Sequence, residues 1–197
     1  MATATLPQTE ATLGQAPREH EDDELYEVVN GLRIEIPPMS AYAARVATRL
    51  ATKLNQHAEP EKLGEAIVES LFRLPLTADK NRNRRPDVAF VSSERWPADR
   101  ALPIAENAWD VVPDISIEVV SPHDLAEDLL DKIIEYFQAG VRLAWVIYPK
   151  QRLVHVYTGP RSIRVLTDAD SLEGGPVLPG LSIPLMALFD PPPHQGA

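Results

Sequence analysis

Two carboxylates stand where carboxylates are costly. Arg85-Pro86-Asp87-Val88-Ala89-Phe90-Val91 and Pro113-Asp114-Ile115-Ser116-Ile117-Glu118-Val119-Val120-Ser121 are short β-branched and aromatic runs, each with an acid set into it. Such runs predict strands. An acid within one is unfavourable unless something positive or hydrogen-bonding receives it. Asp87 and Glu118 on neighbouring strands therefore point to a divalent cation held between them. A hard cation such as Mg²⁺, with Mn²⁺ as an alternative, takes one or two carboxylates, waters and substrate phosphate oxygens. The backbone carbonyl of Val119 is a further candidate ligand. The competing reading leaves Asp87 at a strand entrance and Glu118 in solvent.

A cationic group is the next requirement of such a site. Asp124, Asp128 and Lys132 recur every four residues, which sets them on one face of a helix expected from about Asp124 to Ala139. Lys132 is thus a candidate to stabilise developing negative charge. An ordinary surface pair of Asp128 with Lys132 fits the same spacing, and both readings stay open. Glu135 and Tyr136 lie within a turn and join either arrangement. Just before Asp87 runs a second cationic group, Lys80, Arg82, Arg84 and Arg85, in an expected loop over 77–83 and its continuation. Beside metal-binding acids, such a run is where a nucleic-acid backbone would be held; a solvated loop is its plain alternative.

The elements that must position these groups follow from pattern. Leu25 to Val29 and Leu32 to Ile36 alternate around Asn30-Gly31, the strongest short hairpin signal. Ser40 is an N-cap for a helix running to about His57, with Ala43, Val46, Ala47, Leu50, Ala51 and Leu54 on its apolar face. Glu65 to Phe72 reads as one strand. Ser92 to Val112, carrying Trp96 and Trp109, is a long irregular connection. Gly140 ends the second helix. Val141 to Tyr148, Leu153 to Tyr157 and Ile163 to Leu166 are further strands, Gly174-Gly175-Pro176 and Pro179-Gly180 turns, and Pro184 to Phe189 a closing helical turn. Strand, helix and strand over Ile115 to Tyr148 imply a parallel pair joined by a crossover. The class is α/β or α+β, with a mixed sheet flanked by helices and an N-terminal β-hairpin; α/β is the expectation. One domain is expected over 24–190, a disordered tail over 1–23 and a loose end over 191–197.

These series together resemble the Uma-type family of restriction endonucleases, within the PD-(D/E)XK nuclease superfamily. The resemblance rests on Tyr26-Glu27-Val28-Val29-Asn30-Gly31, Arg85 to Val91, Pro113-Asp114, Ile117 to Pro122, Lys132 to Tyr136, Ala139-Gly140-Val141 and Trp145 to Pro149. It spans roughly Leu25 to Phe189. It implies a restriction-endonuclease-like αβββαβ core and Mg²⁺-dependent phosphodiester cleavage, with DNA as the substrate. Asp87 would be the PD acid and Glu118 the (D/E) acid. Two residues after Glu118, where the pattern has lysine, stands Val120; lysine migrated to the following helix would be Lys132. The acid that the first helix gives some relatives has Glu27, Glu35 and Glu69 as stand-ins.

Bulk properties agree with this class. The 197 residues suit one domain with a sizeable core. With no cysteine there is neither a thiolate metal site nor a cysteine nucleophile. A net charge of −10, from 29 acids against 19 Lys and Arg, opposes a non-specific nucleic-acid coat but allows a local basic groove. No apolar run is long enough to span a bilayer, and the first residues lack a signal-peptide pattern; a cytoplasmic home is expected. The histidines form no ligand set, and only His123 lies near Glu118 in sequence. Phosphate-binding glycine loops and a GxSxG element are missing. A homodimer through a sheet edge or the hairpin would suit cutting both strands of a duplex. Two rivals remain: a non-catalytic module of the same fold, and a carboxylate-pair hydrolase of a non-nucleic substrate such as a glycoside, with Trp96 and Trp109 lining its cleft.

Overall fold

A computed structural model describes residues 25–189, apart from 103, 105, 106 and 123. The two expected tails and His123 lie outside the described residues.

The chain opens with the hairpin β1 (Tyr26–Val29) and β2 (Leu32–Glu35). Its turn residues Asn30 and Gly31 take φ of +53° and +76°, the pair of left-handed conformations that a two-residue type I′ turn demands. Next comes α1 (Ala41–Ala58), capped by the Ser40 hydroxyl, which accepts the Ala43 N–H at 3.2 Å. Its expected apolar face is buried, together with Ala58.

Then follow β3 (Gly64–Val68), β4 (Phe72–Leu74), β5 (Arg82–Arg84), β6 (Val88–Ser92), β7 (Ile115–Val119), α2 (Ala126–Ala139), β8 (Leu143–Tyr148), β9 (Leu153–Gly159), β10 (Ser162–Thr167), β11 (Ser171–Gly174) and β12 (Leu178–Pro184). A 3₁₀ turn, Leu185–Ala187, closes the described chain. No helix among the described residues is long and apolar enough to cross a membrane.

Six strands form one mixed sheet in the order β10-β9-β8-β7-β6-β3. Only β7 and β8 pair in parallel there, and α2 is the crossover between them. Alternation divides the core in two. Val88, Phe90, Ile115, Ile117, Trp145 and Ile147 pack with α1, while Ala89, Val91, Ala144 and Val146 pack with Ile133 and Tyr136 of α2. Because side chains alternate along a strand, Glu118 is carried on the α2 side.

In chain order α1, β3, β6, β7, α2 and β8 make the expected αβββαβ core. Strands β4 and β5 are inserted between β3 and β6 and leave that sheet. They join the hairpin in a second sheet, β2-β1-β5-β4.

Three expectations are corrected. The single strand over Glu65 to Phe72 is broken at Glu69, which takes φ of +49°, and resumes as β4 in the other sheet. The loop over 77–83 ends in β5. Arg-Asn-Arg has little intrinsic preference for a strand; pairing to β1 at Val28 and to β4 along its length makes it one. Pro179-Gly180 is not a turn but part of β12. That strand pairs only with β11, so a residue without an N–H is tolerated.

The irregular connection before β7 is tied down by Trp96 and Trp109, packed edge to face at 5.1 Å, and by Asp114. The Asp114 carboxylate is fully buried, 2.9 Å from Arg95 Nε and 3.2 Å from Arg142 Nε, and accepts the Ser92 N–H.

Gly64 is required where β3 meets β6. Its φ is +143°, and a Cβ would fall 2.1 Å from the Val91 carbonyl oxygen and 2.7 Å from Ser92 Cα. Neither contact is with a flexible side chain, so relief needs backbone movement. Gly64→Ala is expected to destabilise by about 2 kcal/mol, read as a lower urea midpoint with an unchanged slope. An unchanged midpoint would show that this strand edge yields freely.

Candidate active site

The antiparallel register of β6 and β7 pairs Phe90 with Ile115, Ala89 with Ser116 and Val88 with Ile117. One step further puts Asp87 opposite Glu118, and directly opposed residues present their side chains on the same face. Asp87 closes the end of this ladder: its Oδ2 accepts the Val119 N–H at 2.6 Å. In a strand the N–H and C=O of one residue point to the same neighbour, so the Val119 carbonyl lies along the β7 edge that Asp87 borders.

Glu118 is received by α2. The Tyr136 hydroxyl donates to its Oε1 at 2.5 Å, and Lys132 Nζ stands 3.7 Å from its Oε2. Lys132 and Tyr136 are four residues apart, so one helical face delivers both. The Lys132 ammonium is closer still to Glu27 Oε1, at 2.9 Å. This resolves the two readings of the Asp-Lys spacing: Lys132 turns inward to Glu27 and Glu118. Asp124 lies before the helix, where its carboxylate accepts the Ser121 N–H.

Glu27 comes from β1 and is 2% exposed. Its Oε2 receives Arg84 Nη1 at 2.6 Å, and its Oε1 receives the Arg85 N–H at 3.1 Å. Arg84 Nε donates to Glu135 Oε2 at 2.7 Å. Arg82 pairs with Glu135 and Asp79 at 3.1 Å each.

The cationic run is thereby corrected. Arg82 and Arg84 are not a solvent-facing patch beside Asp87; they are buried within the second sheet and hold carboxylates. Arg85 is half-buried, donating to the Tyr26 and Glu69 carbonyls. Only Lys80 of the four is exposed. The hydrogen-bonding capacity expected to meet phosphate is taken by the protein's own acids and backbone. Trp96 and Trp109 are likewise buried, which removes the aromatic cleft of the glycoside reading.

Burial and charge set the protonation of the cluster. Asp87 is pushed up to about 8, chiefly by burial and then by Glu118, against the Val119 N–H and Lys132. Glu118 is also raised by burial, despite Lys132 and the Tyr136 hydroxyl. Glu27 is buried too, but Lys132 and Arg84 outweigh that burial and hold it below its ordinary value. Burial works against the Lys132 charge and is overcome by Glu118 and Glu27, so its pKa is raised. Burial and then Glu118 carry Tyr136 well above the usual phenol range.

The result is asymmetric. Glu27 has its counter-charges; Asp87 and Glu118 crowd one another with too few. Two desolvated hard-oxygen donors short of positive charge are the chemistry of a divalent-cation site. Among the described residues no group of three or more His, Cys, Asp and Glu gathers into a metal cage. Asp87 and Glu118 are the residues that could hold such a cation.

Asp87, Glu118 and Lys132 are conspicuous in the sequence, whereas Glu27 and Tyr136 carry only weak local signals there. The Tyr136 position was signalled by its spacing from Lys132. Of the three stand-in acids, Glu27 alone reaches the cluster; Glu35 is exposed, and Glu69 contributes its carbonyl to Arg85.

An αβββαβ core with two acids on adjacent strands and a lysine from the crossover helix defines the restriction-endonuclease-like class. The profile of the Uma2 family, described as "Putative restriction endonuclease", matches residues 11–186, and the chain belongs to that family. A crystal structure from Anabaena variabilis ATCC 29413, described as "a putative nuclease belonging to DUF820", is similar in fold. Its TM-score is 0.71 at 21% identity, over 83% of this chain and 89% of that one. No curated protein matches the sequence.

Proposed function

We propose that this protein is a Mg²⁺-dependent endonuclease hydrolysing phosphodiester bonds in DNA, with Asp87 and Glu118 holding the cation. The observation that carries the reading is the pair of under-compensated carboxylates at the end of β6 and β7, partly buried Asp87 and buried Glu118, with the Lys132 ammonium 3.7 Å from Glu118. Family membership supports nucleic acid as the substrate class.

Each group has a part in that chemistry. Mg²⁺ or Mn²⁺ bound there would polarise a phosphoryl oxygen and supply a water of lowered pKa. Tyr136 fixes the orientation of Glu118 through its donated hydrogen bond. Asp87, held by the Val119 amide, keeps its second oxygen for a ligand. Lys132 stays charged and stabilises negative charge developing on the phosphoryl oxygens.

The test is metal affinity by calorimetry alongside nicking of supercoiled plasmid. Wild type should bind Mg²⁺ or Mn²⁺ and nick. Lys132→Met keeps the stem packed along α2 and removes the ammonium. It should retain metal affinity and lose about a hundredfold in turnover, the scale of one electrostatic stabiliser. Wild type that neither binds metal nor nicks across a broad range of conditions makes the fold a non-catalytic module. Equal nicking by Lys132→Met removes that lysine from the mechanism.

A further inference from the structure

The hairpin reaches into the site, and the distances say what it does there. Lys132 Nζ lies 2.9 Å from Glu27 Oε1 but 3.7 Å from Glu118 Oε2. The ammonium is therefore bonded to the hairpin's acid and stands off the strand acid. Glu118 Oε1 is already engaged by Tyr136, which leaves Oε2 as the oxygen at stake.

Glu27 is itself held from several sides. It is 2% exposed, receives Arg84 on one oxygen and the Arg85 N–H on the other. Arg84 in turn is bonded to Glu135, three residues along α2 from Lys132. Lys132, Glu27, Arg84 and Glu135 thus form a closed circuit of alternating charge, with α2 joining its two ends. Arg82 also pairs with Glu135 at 3.1 Å and anchors the circuit from a further side, and Glu27 is the acid closest to Lys132. Without Glu27 the nearest remaining acid is Glu118, and a lysine side chain has the rotatable stem to close a gap of that size.

We propose that Glu27 is a positioning residue: it holds the Lys132 ammonium off the Glu118 carboxylate, so that one Glu118 oxygen stays open for a divalent cation. This rests on the reading of Asp87 and Glu118 as the cation's ligands. It assigns the N-terminal hairpin a part in the site, since β1 supplies the acid that keeps lysine and metal from competing for one oxygen.

Four proteins test it: wild type, Glu27→Gln, Lys132→Met and the double variant, each titrated with Mn²⁺ by calorimetry. Glu27→Gln should bind about 10–100-fold more weakly, the usual scale for removing a group that orients a metal ligand. Adding Lys132→Met to Glu27→Gln should restore the affinity of Lys132→Met alone, because the intruding ammonium is gone. Deleting the lysine also relieves the buried charge that Glu27→Gln leaves unpaired. The titrations are therefore run where urea curves show all four proteins fully folded, and the recovery then reports positioning and not structural repair. Unchanged affinity in Glu27→Gln, or a double variant as weak as Glu27→Gln, overturns the proposal.

Should Glu27→Gln fail to fold, Lys132→Met decides alone: affinity at or above wild type supports the proposal and lower affinity refutes it. A metal-free readout separates this inference from the nuclease reading. The Lys132 Nζ resonance, followed by ¹⁵N-lysine NMR, should move in Glu27→Gln and become sensitive to Glu118→Gln. If wild type binds no metal yet that resonance moves, the nuclease reading fails while the hold of Glu27 on Lys132 stands. A resonance that Glu27→Gln leaves in place defeats the hold itself.

Discussion

Asp87→Asn is expected to abolish Mg²⁺-dependent nicking while making the metal-free protein more stable above neutral pH. The two effects have one cause. Asparagine keeps the size of the side chain and an oxygen to accept the Val119 N–H, which Asp87 now accepts at 2.6 Å. It removes the charge that would bind the cation and that crowds Glu118. Nicking should fall about a thousandfold, to background, the upper end of what one preorganised electrostatic group supplies.

The stability effect has a definite sign and window. The folded protein holds the Asp87 carboxyl at about 8, against an ordinary value of 3.8. It therefore binds that proton more tightly than the unfolded chain does. The Asp87 contribution to stability is full below about pH 4 and is lost progressively as the pH rises through about 8. Asparagine does not titrate, so this part of the slope should vanish. Urea midpoints of the two proteins at pH 5 and pH 9, without metal, are the measurement. Wild type should fall between those values by more than the variant. Parallel falls would mean that Asp87 is solvated well enough to ionise freely. A site that gains stability when a reactive group is removed is what a trade between function and stability produces.

Arg84→Met should be the most damaging of the charge substitutions to the fold. Arg84 is 8% exposed and joins Glu27 of β1 to Glu135 of α2. Methionine fills much of its volume but leaves one buried and one partly buried carboxylate, Glu27 and Glu135, each short of a partner. Breaking a buried pair from one side costs about 3–5 kcal/mol. Because Glu27 keeps Lys132 and Glu135 keeps Arg82, the lower end, about 3 kcal/mol, is expected. Lys80→Met, four residues earlier in the chain and exposed, should lie within about 0.5 kcal/mol of wild type. Equal urea midpoints for the two variants would show that the Arg84 pairs remain open to solvent.

That contrast marks where sequence and structure part. Locally determined features were legible because the signal and the structure involve the same few residues. Asn30-Gly31 sets a hairpin since both positions need positive φ. Ser40 caps α1 through a hydroxyl three residues from the N–H it receives. Gly140 ends α2 at φ +99°, a conformation that side chains resist. The parallel β7–α2–β8 unit followed from strand, helix and strand lengths. Asp87 and Glu118 were conspicuous because each carboxylate interrupts an apolar run.

Other features were decided by residues far apart in the chain. Arg82, Arg84 and Arg85 read as an exposed cationic loop, since nothing nearby in sequence marks them for burial. They are inside because Glu27, from 57 residues away, and Glu135, from 51, meet Arg84 there. Arg-Asn-Arg becomes a strand because the hairpin and β4 offer it a ladder on either side. Glu27 alternates along β1 like any solvent-facing residue, and only the packing of the second sheet against α2 turns it inward. The sequence by itself determined the Asn30-Gly31 turn, the caps at Ser40 and Gly140 and the acids that interrupt apolar runs, because backbone conformation and apolar patterning are short-range. The tertiary structure alone decided which charges are buried together. A buried charge is tolerated only when its counter-charge arrives, and here the counter-charges come from segments that no local pattern connects.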